Sequence, residues 1–298
     1  MLQVNSLTKA FKDTIAVNNI SFNVEPGKIF GLLGPNGAGK TTAIRMMLNI
    51  IKPSSGTILF EGKSFTKEFF NIVGYVPEER GLYKKSKVLD TLLYFGGLKN
   101  MDKKSALDES IKWLRKLEIE NYKDKKVEEL SKGNQQKVQF IVAVVHNPSL
   151  IIFDEPFGGF DPINQQIIKE ILLSFVNQGK TIILSTHQMD TAEKLCSDIF
   201  LINKGKEVCS GSLTQIKKNF GTNNIKIEYE GDASFLNFNP CVIHIDSYSN
   251  YAEVQLKDFV SPNDFLKEII DKIKITQFSI IEPTLNKIFI DAIKKIST

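Results

Sequence analysis

The apolar residues of this chain follow three different spacings, and each predicts a different element. Near the start they alternate. Leu2 and Val4, then "ISFNV" at 20–24, precede a turn at Glu25-Pro26-Gly27-Lys28. Period-two spacing of this kind predicts half-buried strands and a hairpin at an antiparallel edge. "KIFGLLG" follows as a buried strand and "GKTTAIRMMLNI" as a helix. "SLIIFDEP" and "KTIILSTH" are nearly continuous apolar runs, the pattern of strands covered on both faces of a mainly parallel sheet.

Between about 65 and 130 the spacing becomes helical. In "SALDESIKWLRKLEI", Ala106, Leu107, Ile111, Leu114 and Leu117 fall on one face. "FIVAVV" at 140–145 reads as core. Past residue 220 the character changes: "NIKIEYEG" and "YAEVQL" alternate, while "NDFLKEIIDKI" and "TLNKIFIDAIKKI" predict short amphipathic helices. The expected organisation is an α/β domain over 1–220 and a small α+β appendage over 221–298.

Composition narrows the function classes. At 298 residues with 42% hydrophobic and 24% charged residues, a soluble globular chain with a sizeable core is expected. The net charge of +4 is too mild to imply nucleic acid. Residues 222–298 hold 8 basic and 11 acidic side chains, so the positive excess lies in the first domain. The lysine doublets at 84–85, 103–104 and 125–126 read as solvated faces. Three distant cysteines, Cys196, Cys209 and Cys241, suit a reducing compartment, and no Cys/His spacing suggests zinc. The start lacks the apolar core of a signal peptide, and no run reaches the roughly 20 apolar residues of a bilayer span. Work at a membrane would need a partner to hold the chain there.

The candidate chemistry begins at "GPNGAGKTT", Gly34 to Thr42, which fits G-x-x-x-x-G-K-[ST] between a predicted strand and helix. Glycines let backbone N–H groups close on a triphosphate, and a helix N-terminus adds a favourable field. Lys40 would reach the β and γ phosphates, and Thr41 would hold Mg²⁺. In "LIIFDEP" a buried strand ends in Asp154, a second Mg²⁺ group, beside Glu155, which can polarise a water for attack on phosphorus. An acidic pair at a strand end can also merely cap a helix; the P-loop upstream favours chemistry. "LSKGNQQKV", Leu130 to Val138, holds neither a nucleophile with a base beside it nor a metal ligand, yet it opens a helix.

In order, the P-loop, "LSKGNQQKV", "LIIFDEP", "GGFDP" and "LSTHQ" resemble the ATP-binding subunits of ABC transporters over roughly residues 1–220. The resemblance implies a P-loop ATPase with a mainly parallel core, an antiparallel β edge and a helical subdomain. It implies ATP and Mg²⁺ as cofactors and a nucleotide cradle of Gly34, Pro35, Asn36, Gly37, Ala38, Gly39, Lys40, Thr41 and Thr42. Phe11 resembles the aromatic that stacks on adenine, and His187 the histidine that contacts the γ-phosphate. Glu155, His187 and Lys40 would be the catalytic set. Ser131, Lys132, Gly133, Asn134 and Gln135 match the signature loop, which in this family closes on the nucleotide of a second subunit. Gly159 and Asp161 match the loop at the dimer seam.

The sequence departs from the family at three places. Lys132 replaces the first glycine of the commoner LSGGQ, and Gly158 stands where a serine is frequent. In "VGYVPEERGLY", Glu78 takes the position of a glutamine that contacts the metal, with Arg80 as a neighbour that could balance its charge. These motifs and the C-terminal "PTLNKIFIDAI" resemble a branch that includes sodium-efflux and antibiotic-resistance exporters. The implied partners are a second ATP-binding subunit, as a homodimer, and a separate membrane permease on the cytoplasmic face. The permease would dock at "FTKEFFNIVGY" and the helices after it. The alternatives are an ABC-type ATPase acting on nucleic acid or the ribosome, and a regulatory nucleotide-binding module. Lys40 and Ser131 are only 91 residues apart, with one cassette and no heptad run between them, which disfavours the former. The presence of Glu155 disfavours the latter.

Overall fold

A computed structural model describes residues 1–79, 81–220, 223–257 and 259–297. It divides into two units, Met1–Leu213 and Thr214–Thr298. The division precedes the expected 220/221 position by one short helix, Leu213–Asn219. That helix ends in Lys217 and Lys218 and so shares the basic character of the first unit in sequence.

In the first unit, β1 (Leu2–Phe11) and β2 (Thr14–Val24) form an antiparallel hairpin closed at Lys12-Asp13, with Phe11 opposite Thr14. The Glu25–Lys28 turn instead leads out of this sheet into β3 (Ile29–Leu33). Helix α1 (Lys40–Met47) follows, then β4 (Ser55–Phe60), which pairs with β1. Next come α2 (Lys67–Ile72), β5 (Val73–Val76), α3 (Val88–Leu98), α4 (Lys103–Lys116) and α5 (Lys132–Val144). The unit ends with β6 (Leu150–Asp154), α6 (Pro162–Asn177), β7 (Thr181–Thr186), α7 (Met189–Leu195), β8 (Asp198–Asn203) and β9 (Lys206–Ser212).

The second sheet has the order β5-β6-β7-β3-β8-β9, parallel except for β9. Every residue of β3 and β6 is buried, which is why both read as unbroken apolar runs. Because β7 lies between β6 and β3, the carboxyl ends of these three strands emerge side by side. In open α/β sheets that edge is where ligands bind.

The helical part departs from its predicted face. In α4 the buried residues are Ala106, Ser110, Trp113 and Leu114, while Leu107 stays exposed. The Trp113 ring accounts for the rotation. It packs against Phe140 of α5 and Phe175 of α6 at centroid distances of 6.0 and 5.8 Å. A side chain that large dominates the apolar area α4 can bury, so it sets the helix orientation.

Helix α8 (Leu213–Asn219) starts at the last residue of the first unit and runs into the second, which also contains β10 (Asn224–Glu230), β11 (Val242–Ser247), β12 (Tyr251–Leu256), α9 (Pro262–Ile269), β13 (Lys274–Ile281) and α10 (Leu285–Ser297). The strands make an antiparallel sheet ordered β11-β12-β10-β13. Alternation places Ile225, Ile227, Val254 and Leu256 in its core, where Phe265 and Ile269 of α9, four apart on one helix face, also lie.

His146, just beyond α5, packs against the start of β5, where its Nε2 lies 3.1 Å from the Val73 carbonyl oxygen. Lys99 Nζ donates to the same carbonyl at 3.1 Å. His146 Nδ1 is buried without a partner among the described residues. A neutral ring donating from Nε2 needs nothing at Nδ1, whereas a protonated one would bury an unpaired N–H. Burial, reinforced by Lys99, accordingly lowers the His146 pKa to about 4. The unfolded chain takes up this proton near pH 6.5, so the ring's contribution to stability is full above that pH. It is lost as pH falls from about 6.5 to about 4. We expect His146→Gln to lose about 2 kcal/mol less stability than the native chain between pH 7 and 4.5, read from urea unfolding at both pH values.

Candidate active site

The loop from β3 to α1 encloses a cleft of about 320 Å³ lined by residues 36–42 together with Ala16, Glu78 and Glu155. Gly39 caps α1 without a side chain, so the first-turn N–H groups have no side-chain acceptor and suit an anion. Lys40, 6% exposed, donates from Nζ to the Gly34 carbonyl at 2.8 Å and the Pro35 carbonyl at 3.2 Å. Gly34 and Pro35 therefore meet the cleft through Lys40 rather than by lining it. The same ammonium lies 3.5 Å from Glu155 Oε1.

Beneath the cleft, Asp154 accepts from Thr41 Oγ1 at 2.9 Å and from Ser185 Oγ at 2.7 Å. Burial raises the Asp154 pKa; the two hydroxyl donors oppose that shift. Tyr75 nearby is pushed up to about 12, chiefly by burial and then by the Asp154 charge.

Glu155 leaves the strand in a left-handed conformation, φ 51°. A non-glycine residue held there is strained, by roughly 1–3 kcal/mol. The conformation lets the carboxylate collect several donors. Thr186 Oγ1 donates to Oε2 at 3.1 Å, and the His187 backbone N–H donates to Oε1 at 2.9 Å. His187 Nδ1 lies 2.8 Å from the same oxygen, with the ring 48% exposed. Lys40, Glu155 and His187 are thus brought together, and Glu78 reaches the same cleft from beyond β5.

Ser131, Lys132, Gly133, Asn134 and Gln135 do not line the cleft. Ser131 is the N-cap of α5, its Oγ accepting the Asn134 N–H at 3.3 Å, and Gln135 Nε2 donates to the Leu130 carbonyl at 3.0 Å. A methyl group added to Gly133 would lie 4.0 Å from the Gly159 carbonyl oxygen, so this helix start adjoins the loop after β6. Asp161 ends that loop as the N-cap of α6. Its carboxylate accepts the Asn164 N–H at 2.9 Å, which lowers its pKa. Phe11, 47% exposed at the end of β1, has the Lys9 ammonium 5.0 Å from its ring centre and is not among the cleft-lining residues. Arg80 lies outside the described residues.

Three participants escaped the sequence reading. Ser185 and Thr186 stand directly before His187 in "LSTH", where adjacent hydroxyls at a strand end were the available signal. Ala16 carries no signal; only the fold brings it to the cleft.

The P-loop glycines differ in what they tolerate. A methyl group on Gly39, φ 109°, would lie 2.4 Å from the Ala16 carbonyl oxygen, whereas one on Gly37, φ 76°, meets nothing within 4 Å. Gly37→Ala should cost only the conformational strain, roughly 1 kcal/mol. Gly39→Ala should cost roughly 3 kcal/mol or more and weaken ATP binding at least about tenfold. Thermal unfolding and ATP titration of both variants check this.

Residues 17–158 match the ABC transporter family, and residues 211–293 match the C-terminal domain of DrrA1-3-like ATP-binding proteins. An uncharacterized ABC transporter ATP-binding protein of Bacillus subtilis, YhaQ, is 41% identical over 293 residues, 98% of each chain. The Nod factor export ATP-binding protein I of Cupriavidus metallidurans is 36% identical over 214 residues, 71% of each chain. A solved structure titled as the ATP-binding subunit of an ABC transporter superposes with a TM-score of 0.70 at 28% identity, covering 74% of this chain and 93% of the other. With a relative of this name matching almost end to end, the chain belongs to the ATP-binding proteins of ABC transporters, an ATPase family.

Proposed function

We propose that this chain is the ATP-hydrolysing motor of a two-component exporter, working as a homodimer on a separate membrane permease at the cytoplasmic face. One observation carries the dimer. The chain has a triphosphate cradle and water-polarising carboxylate of its own, while the N-terminus of α5 at Ser131 lies off that cleft. A helix start attracts anions, and a second copy related by a two-fold axis would bring one to it. Each Ser131 and Gly133 then closes on the nucleotide of the other copy, with Gly159 and Asp161 at the seam.

Within each cleft, the Lys40 ammonium receives β- and γ-phosphate oxygens in place of the Gly34 and Pro35 carbonyls. Residues 36–42 present backbone N–H groups, and Phe11 offers its ring to the base. Thr186 and His187 fix the Glu155 carboxylate, which orients the attacking water and takes its proton. His187 also donates to the γ-phosphate.

Thr41 and Asp154 suit Mg²⁺: a hydroxyl and a carboxylate lie 2.9 Å apart, and burial, which raises the Asp154 pKa, penalises an ionised form that a cation would stabilise. When bound, Mg²⁺ would neutralise charge on the phosphates. Glu78, which lines the same cleft, would offer the ion a third oxygen group.

No helix among the described residues is long and apolar enough to cross a membrane. Export would then depend on a permease received at 65–75 and the following helices. The Nod factor export relative supports the outward direction. The modest net charge supports no role on nucleic acid.

Light scattering of Glu155→Gln tests this reading. The variant should dimerise with Mg-ATP and stay monomeric without it, and Ser131→Arg should abolish the dimer. A variant that binds ATP but remains monomeric removes the homodimer from the proposal. For the metal, Glu78→Gln should raise the Mg²⁺ concentration giving half-maximal ATPase activity by roughly tenfold. An unchanged Mg²⁺ dependence and rate would show that Glu78 does not face the metal.

A further inference from the structure

Helix α5 carries three buried polar side chains within about one turn, Gln136, Lys137 and Gln139. Each donates to a backbone carbonyl outside the helix. Lys137 Nζ reaches Leu117 O and Gln136 Nε2 reaches Pro156 O, both at 3.0 Å. Gln139, 4% exposed, donates twice from Nε2, to Pro77 O at 2.8 Å and to Glu79 O at 3.1 Å. Apolar side chains would be the easier occupants of such positions, since buried polar groups are tolerated only when bonded. The bonds are directional: Lys137 aims at the end of α4, and the two glutamines aim at the loops beyond β6 and β5.

Gln139 is the most specific of the three. An amide nitrogen has two hydrogens, so both of its bonds can be made together. Its acceptors are the carbonyls immediately before and after Glu78. That segment lies beyond the sheet ladder, because β5 ends at Val76. Among the described residues, no backbone–backbone hydrogen bond outside helices and strands involves Pro77, Glu78 or Glu79. Glu78 itself lines the cleft. One side of the segment is therefore fastened to α5 while Glu78 lines the cleft.

We propose that Gln139 is a positioning residue: by bracketing Glu78 between two carbonyl contacts it holds that carboxylate at the nucleotide cleft and links it to the helix that begins at Ser131. The functional part rests on the reading of Glu78 as a metal-facing group.

The test uses the full chain with Gln139→Met, which keeps the volume and removes both donors. Gln136→Met, whose native bond goes to Pro156 instead, is the control. A glutamate-specific protease should cut after Glu78 or Glu79 about tenfold faster in Gln139→Met than in the native chain or in Gln136→Met, as expected for two lost hydrogen bonds. Calorimetric ATP titrations with and without Mg²⁺ should show metal-free affinity within about twofold of native. The gain on adding Mg²⁺ should shrink about as much as in Glu78→Ala, and the double variant should lose no more than either single one. Unchanged cleavage, equal cleavage in Gln136→Met, or additive losses of the Mg²⁺ gain would each overturn the proposal. Faster cleavage alongside a Glu78→Ala that leaves the Mg²⁺ gain intact supports the clamp and overturns only the metal reading.

Discussion

A carboxylate buried at the end of one strand holds the nucleotide-facing edge of the sheet together. Asp154 accepts from Thr41 on α1 and from Ser185 on β7, so three elements distant in sequence meet at one side chain. The parallel register sets this up by placing Asp154 beside Ser185 and Leu33 beside Thr186. The adjacent residue on each element then falls into a second, outer layer. Lys40 precedes Thr41, Glu155 follows Asp154 and Thr186 follows Ser185, and these three also meet, through Glu155. The inner layer fixes positions and the outer layer faces the cleft. Asp154 and Ser185 meet because β6 and β7 are neighbours, and Thr41 reaches them because the sheet sets β3, which leads into α1, beside β7.

Much of this was legible because it is written locally. Buried parallel strands are continuous apolar runs, and the P-loop and the acidic strand end are contiguous strings placed where such strands stop. In the second unit two of the four strands, β10 and β12, showed in their alternation, and α9 in its amphipathic spacing. The α4 stripe was misread because spacing counts apolar positions equally. One Trp113 ring against two phenylalanines outweighs Leu107 and Ile111. The hairpin turn at Lys12-Asp13 was passed over for the Pro-Gly turn at 26–27, whose conformational signal is stronger but which connects two sheets.

What sequence did not disclose is mostly polar and long-range. Gln139 bonds to residues about 60 positions away, and Gln136 to one across the loop after β6. Nothing in "NQQKVQ" names a backbone carbonyl as a target. A glutamine on a helix reads as solvated until the fold shows it buried. Thr186 and Ser185 were likewise hidden beside a histidine that drew attention as the titratable group. Satisfying buried donors is a property of the folded whole, and its signature in sequence is only a polar residue out of pattern.

The left-handed backbone at Glu155 has a consequence for anyone improving this protein. A glycine or asparagine there would relax the strain, and by stability alone would look like progress. Either change would also remove the carboxylate on which Thr186, His187 and Lys40 converge. Screens that reward heat resistance without turnover would therefore favour motors that can still hold nucleotide but no longer run.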